Sequence, residues 1–172
     1  LKITPTIPNF LSLYRILSFV PGLWLIYARH ETAFVVLFTI NQITDILDGY
    51  IARKFNQSSP EGALLDSYAD LGSYVLAIYG ISQFHSELWE EPWRNWLLVF
   101  VFLYFISYPI CYLRYRRWVA GLHLYSSKIT GYLQGGFLVM LFVFGLWPWL
   151  FYLAMGVGVL AELEVISINL IS

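Results

Sequence analysis

Apolar residues run along this chain in six long stretches, separated by short polar links. A membrane-spanning helix needs about 20 mainly apolar residues, and the stretches meet that length. They cover Phe10 to Ala28, Thr32 to Ala52, Gly62 to Phe84, Trp93 to Leu113, Leu124 to Leu146 and Pro148 to Ile168. The links are Arg29-His30-Glu31, Lys54 to Glu61, His85 to Pro92, Arg114 to His123, and a tight turn at Gly145 to Pro148. Ser59-Pro60 has the form of an N-cap and first residue for the third helix. The expectation is an all-α polytopic membrane protein with six transmembrane helices. No internal repeat is visible and the links are short, so residues 1–172 form one expected domain. The first stretch carries Arg15 inside it and has no small-residue cleavage site before Arg29, so it is expected to be a retained helix.

Composition agrees with that pattern. Only 12% of residues are charged, against about 25% in a soluble domain, and the mean hydropathy is +0.65. Lysine and arginine divide unevenly between the two sides. Lys2, Arg53, Lys54, Arg114, Arg116, Arg117 and Lys128 share one side with Arg15 just inside it, while Arg29 and Arg94 face the other. The basic side is expected to be cytoplasmic, which puts both termini there. Trp89, Trp93, Trp96, Trp147 and Trp149 would form an aromatic belt at the opposite interface. A net charge of −1 with no basic run gives no sign of a nucleic-acid partner, and Cys111, the one cysteine, is expected to be an inert packing residue.

The polar positions inside the spans carry the chemistry. The chain has four aspartates, Asp45, Asp48, Asp66 and Asp70, and all fall in apolar stretches. Each costs at least about 2.5 kcal/mol at a helix centre, so something must neutralise them. Asp45 and Asp48 are three apart, and Asp66 and Asp70 are four apart, so each pair shares a helix face. The short link between helices two and three allows the pairs to face one another. Four carboxylates suit hard divalent cations such as Mg²⁺ or Mn²⁺, and the absence of histidine or cysteine beside them argues against zinc. Buried acids satisfied by neighbours, or an ion pathway, are the competing explanations. Gly49, Ala52 and Gly62 would let a ligand or helix approach closely, and Arg53 offers a fork suited to phosphate, although an arginine is expected at a cytoplasmic helix end in any case.

Asp45-x2-Asp48-Gly49-x2-Ala52-Arg53-x8-Gly62-x3-Asp66-x3-Asp70 resembles, position for position, the signature of the CDP-alcohol phosphotransferases. The opening Ile7-Pro8-Asn9-Phe10-Leu11-Ser12-x2-Arg15 is similar to the phosphatidylglycerophosphate synthase and cardiolipin synthase branch. The resemblance implies two divalent ions on Asp45, Asp48, Asp66 and Asp70, with Asp70 doubling as general base. It implies a donor, CDP-diacylglycerol, whose cytidine borders Gly49, Ala52 and Gly62 and whose phosphates meet Arg53 and Asn9. CMP leaves, and a homodimer facing the cytoplasm, favoured in a bacterial inner membrane, is the expected assembly.

The acceptor is less closely specified. Arg114, Arg116, Arg117 and Lys128 would suit a phosphorylated alcohol such as glycerol 3-phosphate, but positive-inside bias accounts for the arginines equally well. Ser127 to Gln134 resembles the lysine-containing stretch of the same branches and departs from it at Gly131, where they carry threonine. Inositol phosphate, serine or phosphatidylglycerol remain alternative acceptors, and CDP-choline or CDP-ethanolamine remain alternative donors to diacylglycerol. A divalent-cation channel or transporter is a more distant possibility; it should show broken helices or a pseudo-repeat, and neither is visible. His123 is expected to cap or sit at the interface, and His30 and His85 to be solvated. Glu162 and Glu164 cannot share a helix face; pairing of one with Lys128 or Arg15 is expected ahead of catalysis.

Overall fold

A computed structural model describes residues 5–115 and 125–171, excluding the side chains of residues 114, 115, 125–128 and 171. The described residues form six long helices joined by short links, with no strand among them. These are α1 (Ile7–Tyr27), α2 (Glu31–Lys54), α3 (Pro60–Phe84), α4 (Trp93–Tyr115), α5 (Tyr125–Phe144) and α6 (Pro148–Ile171). A single 3₁₀ turn, Ser86–Trp89, precedes α4. Each expected span therefore has its helix, with ends that differ by up to three residues. Among the described residues, four helices are long and apolar enough to cross a membrane: α1, α2, α4 and α6. Within α5 the described apolar stretch is Ile129–Phe144. The chain divides into two compact units, Leu1–His85 and Ser86–Ser172.

In the first unit, α1 packs along both α2 and α3, which touch each other only briefly. Local chemistry sets the ends. The Thr6 hydroxyl accepts from Asn9 N at 3.4 Å, and Ser59 Oγ accepts from Gly62 N at 3.0 Å with Pro60 opening α3, the N-cap arrangement expected from sequence. Between α1 and α2, Arg29 takes φ of 59°, while Arg29 N donates to Ile26 O and His30 N to Leu25 O. That is a Schellman turn built without glycine. Arg29 Nη1 donates to Gln83 O at 2.6 Å, tying the turn to the end of α3.

The inward stripe of α1 is Pro8, Asn9, Ser12, Arg15, Ser18, Gly22 and Ile26, spaced at helical intervals. Its outward stripe is apolar, with Ile7, Phe10, Leu17, Val20, Trp24 and Tyr27 exposed. The usual soluble pattern is inverted, as expected where the surroundings are lipid and buried polar groups must find partners within the protein. Ser18 Oγ receives the Asn41 amide at 2.8 Å, joining α1 to α2. Close approach continues at Gly22, where an added Cβ would stand 3.0 Å from Leu76.

In the second unit, α6 packs on both α4 and α5. Its interior is aromatic. Phe151 meets Trp93 and Phe137 edge to face, and Tyr152 packs on Trp93 and Trp96. Trp147 and Trp149 remain exposed at the start of α6, after the Gly145 turn at φ 85°. Cys111 is buried, as expected of a packing residue.

Candidate active site

Three helices contribute to the site, and the residue at its centre comes from α1. The Arg15 side chain is 1% exposed and contacts all four aspartates. Nη1 donates to Asp45 Oδ1 at 2.6 Å and to Asp70 Oδ1 at 2.9 Å. Nη2 donates to Asp48 Oδ2 at 2.8 Å and to Asp66 Oδ1 at 2.5 Å. One guanidinium thus links the α2 pair to the α3 pair. The two pairs converge as their spacing requires, with α1 passing between the helices that carry them.

The four carboxylates differ in their surroundings. Asp48 is buried and also accepts from Ser12 Oγ at 3.1 Å. Asp45, Asp66 and Asp70 are part-exposed, Asp70 most of all at 43%. The cluster is therefore closed on the α1 side and open on the side where Asp66 and Asp70 stand.

Asp45, Asp48 and Asp66 each offer a carboxylate oxygen, and these lie within 4.8 Å of one another. Oxygen donors without nitrogen or sulfur at that separation fit a hard divalent cation. Asp70 is outside this close group, although it shares Arg15 Nη1 with Asp45.

The signature's small residues have identifiable neighbours. A Cβ at Gly62 would come to 2.5 Å from Asn9 Oδ1 and 3.1 Å from Ser59 Oγ, so only glycine lets α1 reach the start of α3 here. Asn9 is buried in that contact. The exposed Arg53 guanidinium lies back over Gly49, where a Cβ would stand 3.3 Å from Nη1. Ala52 is half-buried beside it.

The profile of the CDP-alcohol phosphatidyltransferase family matches residues 5–163, nearly the whole chain. The chain belongs to that family. Among its relatives, a Pseudomonas fluorescens protein named CDP-diacylglycerol–glycerol-3-phosphate 3-phosphatidyltransferase is 35% identical over 86 residues, 48% of this chain and 44% of the relative. Proteins of the same name from Salmonella typhimurium and Escherichia coli K12 are 29% and 28% identical, each over 74% of this chain and 67% of their own length. The chain thus spans less than half of the Pseudomonas relative and about two thirds of the enteric ones. No solved structure matches it.

For this family member, sequence reasoning reached the four aspartates and missed what holds them. Arg15 was expected to count among the basic-side residues or to pair with a sixth-helix glutamate. Among the described residues its ionic partners are the four aspartates instead. The available signal was one cation inside an apolar span facing four anions inside two others, since charges in a bilayer pair with one another. Ser12 was missed for the same reason. Glu162 shares a hydrogen bond with Ser107 in α4, while Glu164 is exposed, in keeping with their opposed directions on the helix. His30 is exposed and His85 half-buried, each next to a helix end. Arg116, Arg117 and His123, and the side chains of Arg114 and Lys128, lie outside what is described.

Proposed function

We propose that this protein transfers the phosphatidyl group of CDP-diacylglycerol to an alcohol, with glycerol 3-phosphate the favoured acceptor and CMP the leaving group. The observation that carries this reading is the convergence of Asp45, Asp48, Asp66 and Asp70 on one point between α2 and α3. The printed names of the relatives supply the donor and acceptor.

Asp45, Asp48 and Asp66 would hold divalent cations, Mg²⁺ or Mn²⁺, with Asp70 completing a two-ion site. Bound there, the ions would offset the negative charge of the donor's diphosphate and of the entering and leaving oxygens. The family resemblance gives Asp70, part-exposed like Asp66, the role of taking the proton from the acceptor hydroxyl. The acceptor oxygen then attacks the phosphorus that bears the lipid, and the bond to CMP breaks. Such transfer depends chiefly on positioning and charge neutralisation. Gly49, Ala52 and Gly62 would border the cytidine. Arg53, folded over Gly49 and exposed, would reach the phosphates, while Asn9 would act through its contact with Gly62. Arg114 and Lys128 are assigned to the acceptor phosphate on the resemblance of their segment.

The same reading makes all six helices membrane spans with both termini cytoplasmic. With 25 residues α3 is about 37 Å long, enough to cross the hydrocarbon core. The family match runs through both compact units, which supports a single domain over residues 1–172. A homodimer in a bacterial inner membrane, with the aspartates facing the cytoplasm, completes the proposal.

An acceptor screen with labelled CDP-diacylglycerol in nanodiscs, with and without Mg²⁺ or Mn²⁺, tests it. Metal-dependent CMP release with glycerol 3-phosphate is the expected result. No product with any alcohol from a folded protein would overturn the reading, and a different preferred alcohol would replace only the acceptor.

A further inference from the structure

Arg15 occupies an unusual position for a structural ion pair. A guanidinium typically grips one carboxylate side-on through two parallel hydrogen bonds. Here each terminal nitrogen is divided between two carboxylates, one from α2 and one from α3, and the buried Nε has no hydrogen-bond partner among the described residues. One guanidinium cannot balance the charge of four ionised carboxylates. The oxygens it holds on Asp48 and Asp66 belong to the group whose spacing fits a divalent cation. Arginine and metal therefore seek the same side chains, and at such distances two cations in a low-dielectric site repel strongly.

We propose that Arg15 is the resident counter-cation of the aspartate cluster, holding α2 and α3 in register without metal and yielding the carboxylates when a divalent cation binds. This rests on the metal-site reading above and adds a competitor to it. Arg15 is a positioning residue in this role. It keeps four like charges from driving α2 and α3 apart, since those helices have little direct contact of their own. It also lowers the site's affinity for metal, because its hold on the carboxylates must be given up.

The test uses the full chain in nanodiscs, stripped of metal, as wild type, Arg15→Gln and Arg15→Lys. Mn²⁺ binding is followed by the electron paramagnetic resonance signal of free Mn²⁺, and thermal melting is recorded with and without Mn²⁺. Arg15→Gln should bind Mn²⁺ at least about tenfold more tightly than wild type. Metal-free, it should melt below wild type, and saturating Mn²⁺ should raise its Tm by the larger increment. Arg15→Lys keeps the charge on a single ammonium that cannot span both helix pairs, so it should bind Mn²⁺ more tightly than wild type by a smaller factor. If the glutamine variant does not fold without metal, the lysine variant alone carries the comparison. Unchanged or weaker Mn²⁺ binding in the folded variants, with wild-type binding intact, overturns the role of Arg15 and leaves the metal site standing. No Mn²⁺ binding by any of the three overturns both.

Discussion

The two compact units solve the burial of polar groups in opposite ways. Leu1–His85 turns a polar stripe of α1 inward and meets it with acids from α2 and α3, so its centre is ionic. Ser86–Ser172 fills most of its interior with aromatic and aliphatic side chains, buries Ser107, Thr130, Gln134 and Asn169 but no charged side chain among the described residues, and its half-buried Glu162 meets the Ser107 hydroxyl. Lipid tails are as apolar as leucine, so helices in a bilayer associate through packing and polar contacts, not by escape from water. The second unit uses packing. The first concentrates charge, which does little for stability beyond what apolar packing would give and fits the ligand site proposed above.

That contrast predicts which changes affect chemistry and which affect only folding. The largest effect is expected at Asp70. Asp70→Asn should lower transfer by at least about a hundredfold, the scale of a lost general base, while CDP-diacylglycerol binding is largely retained. Initial rates beside a lipid-binding assay check this, and transfer above about a tenth of wild type would remove Asp70 from the base role. Next is the aromatic centre of the second unit. Phe151 is fully buried between Trp93 and Phe137, and Phe151→Ala should cost about 3 kcal/mol. Its Tm should fall while Mn²⁺ affinity in the folded fraction stays at the wild-type value; a large change in that affinity would show that the units do not divide the work.

Two glycines give a closer comparison. Gly62→Ala would drive a methyl into Asn9, and Gly158→Ala would drive one into Gln134 and to 3.0 Å from the Phe100 ring. Each overpacking should cost about 1–3 kcal/mol. In the first unit, turnover per folded molecule should fall as well, because Gly62 borders the proposed nucleotide site. In the second, melting alone should change. The smallest effect belongs to Arg94, whose 2.8 Å pair with Glu91 is about half exposed. Arg94→Ala should shift stability by less than about 1 kcal/mol, and calorimetry should place its Tm close to that of wild type.

Helix positions were accessible from the chain because a bilayer imposes a length on every span. The ends that moved did so for local reasons: α1 begins at Ile7 and not Phe10 because Thr6 caps it, and α2 runs on to Lys54 before Asn56 takes a left-handed turn at φ 52°. The cluster at residues 45–70 was accessible because acids at i, i+3 and i, i+4 on neighbouring helices have one economical way to meet. Arg15 was not. Its partners lie 30 to 55 positions away, and a lone arginine a few residues in from the basic side counts with the positive-inside residues. The contact of Asn9 with Gly62 was hidden for the same reason, since either residue alone permits many neighbours.

By itself, the sequence determined that this chain has membrane helices, that four acids must be neutralised within them, and which family they mark. Those conclusions depend on composition and on short-range periodicity, which the bilayer and helix geometry convert directly into structure. Only the tertiary structure decided which side chain pairs with the acids. Long-range pairing is set by which faces α1 presents to α2 and α3, and that depends on all three helices packing at once. The aspartates remain the proposed seat of the chemistry; the arginine between them became visible only when the helices were brought together.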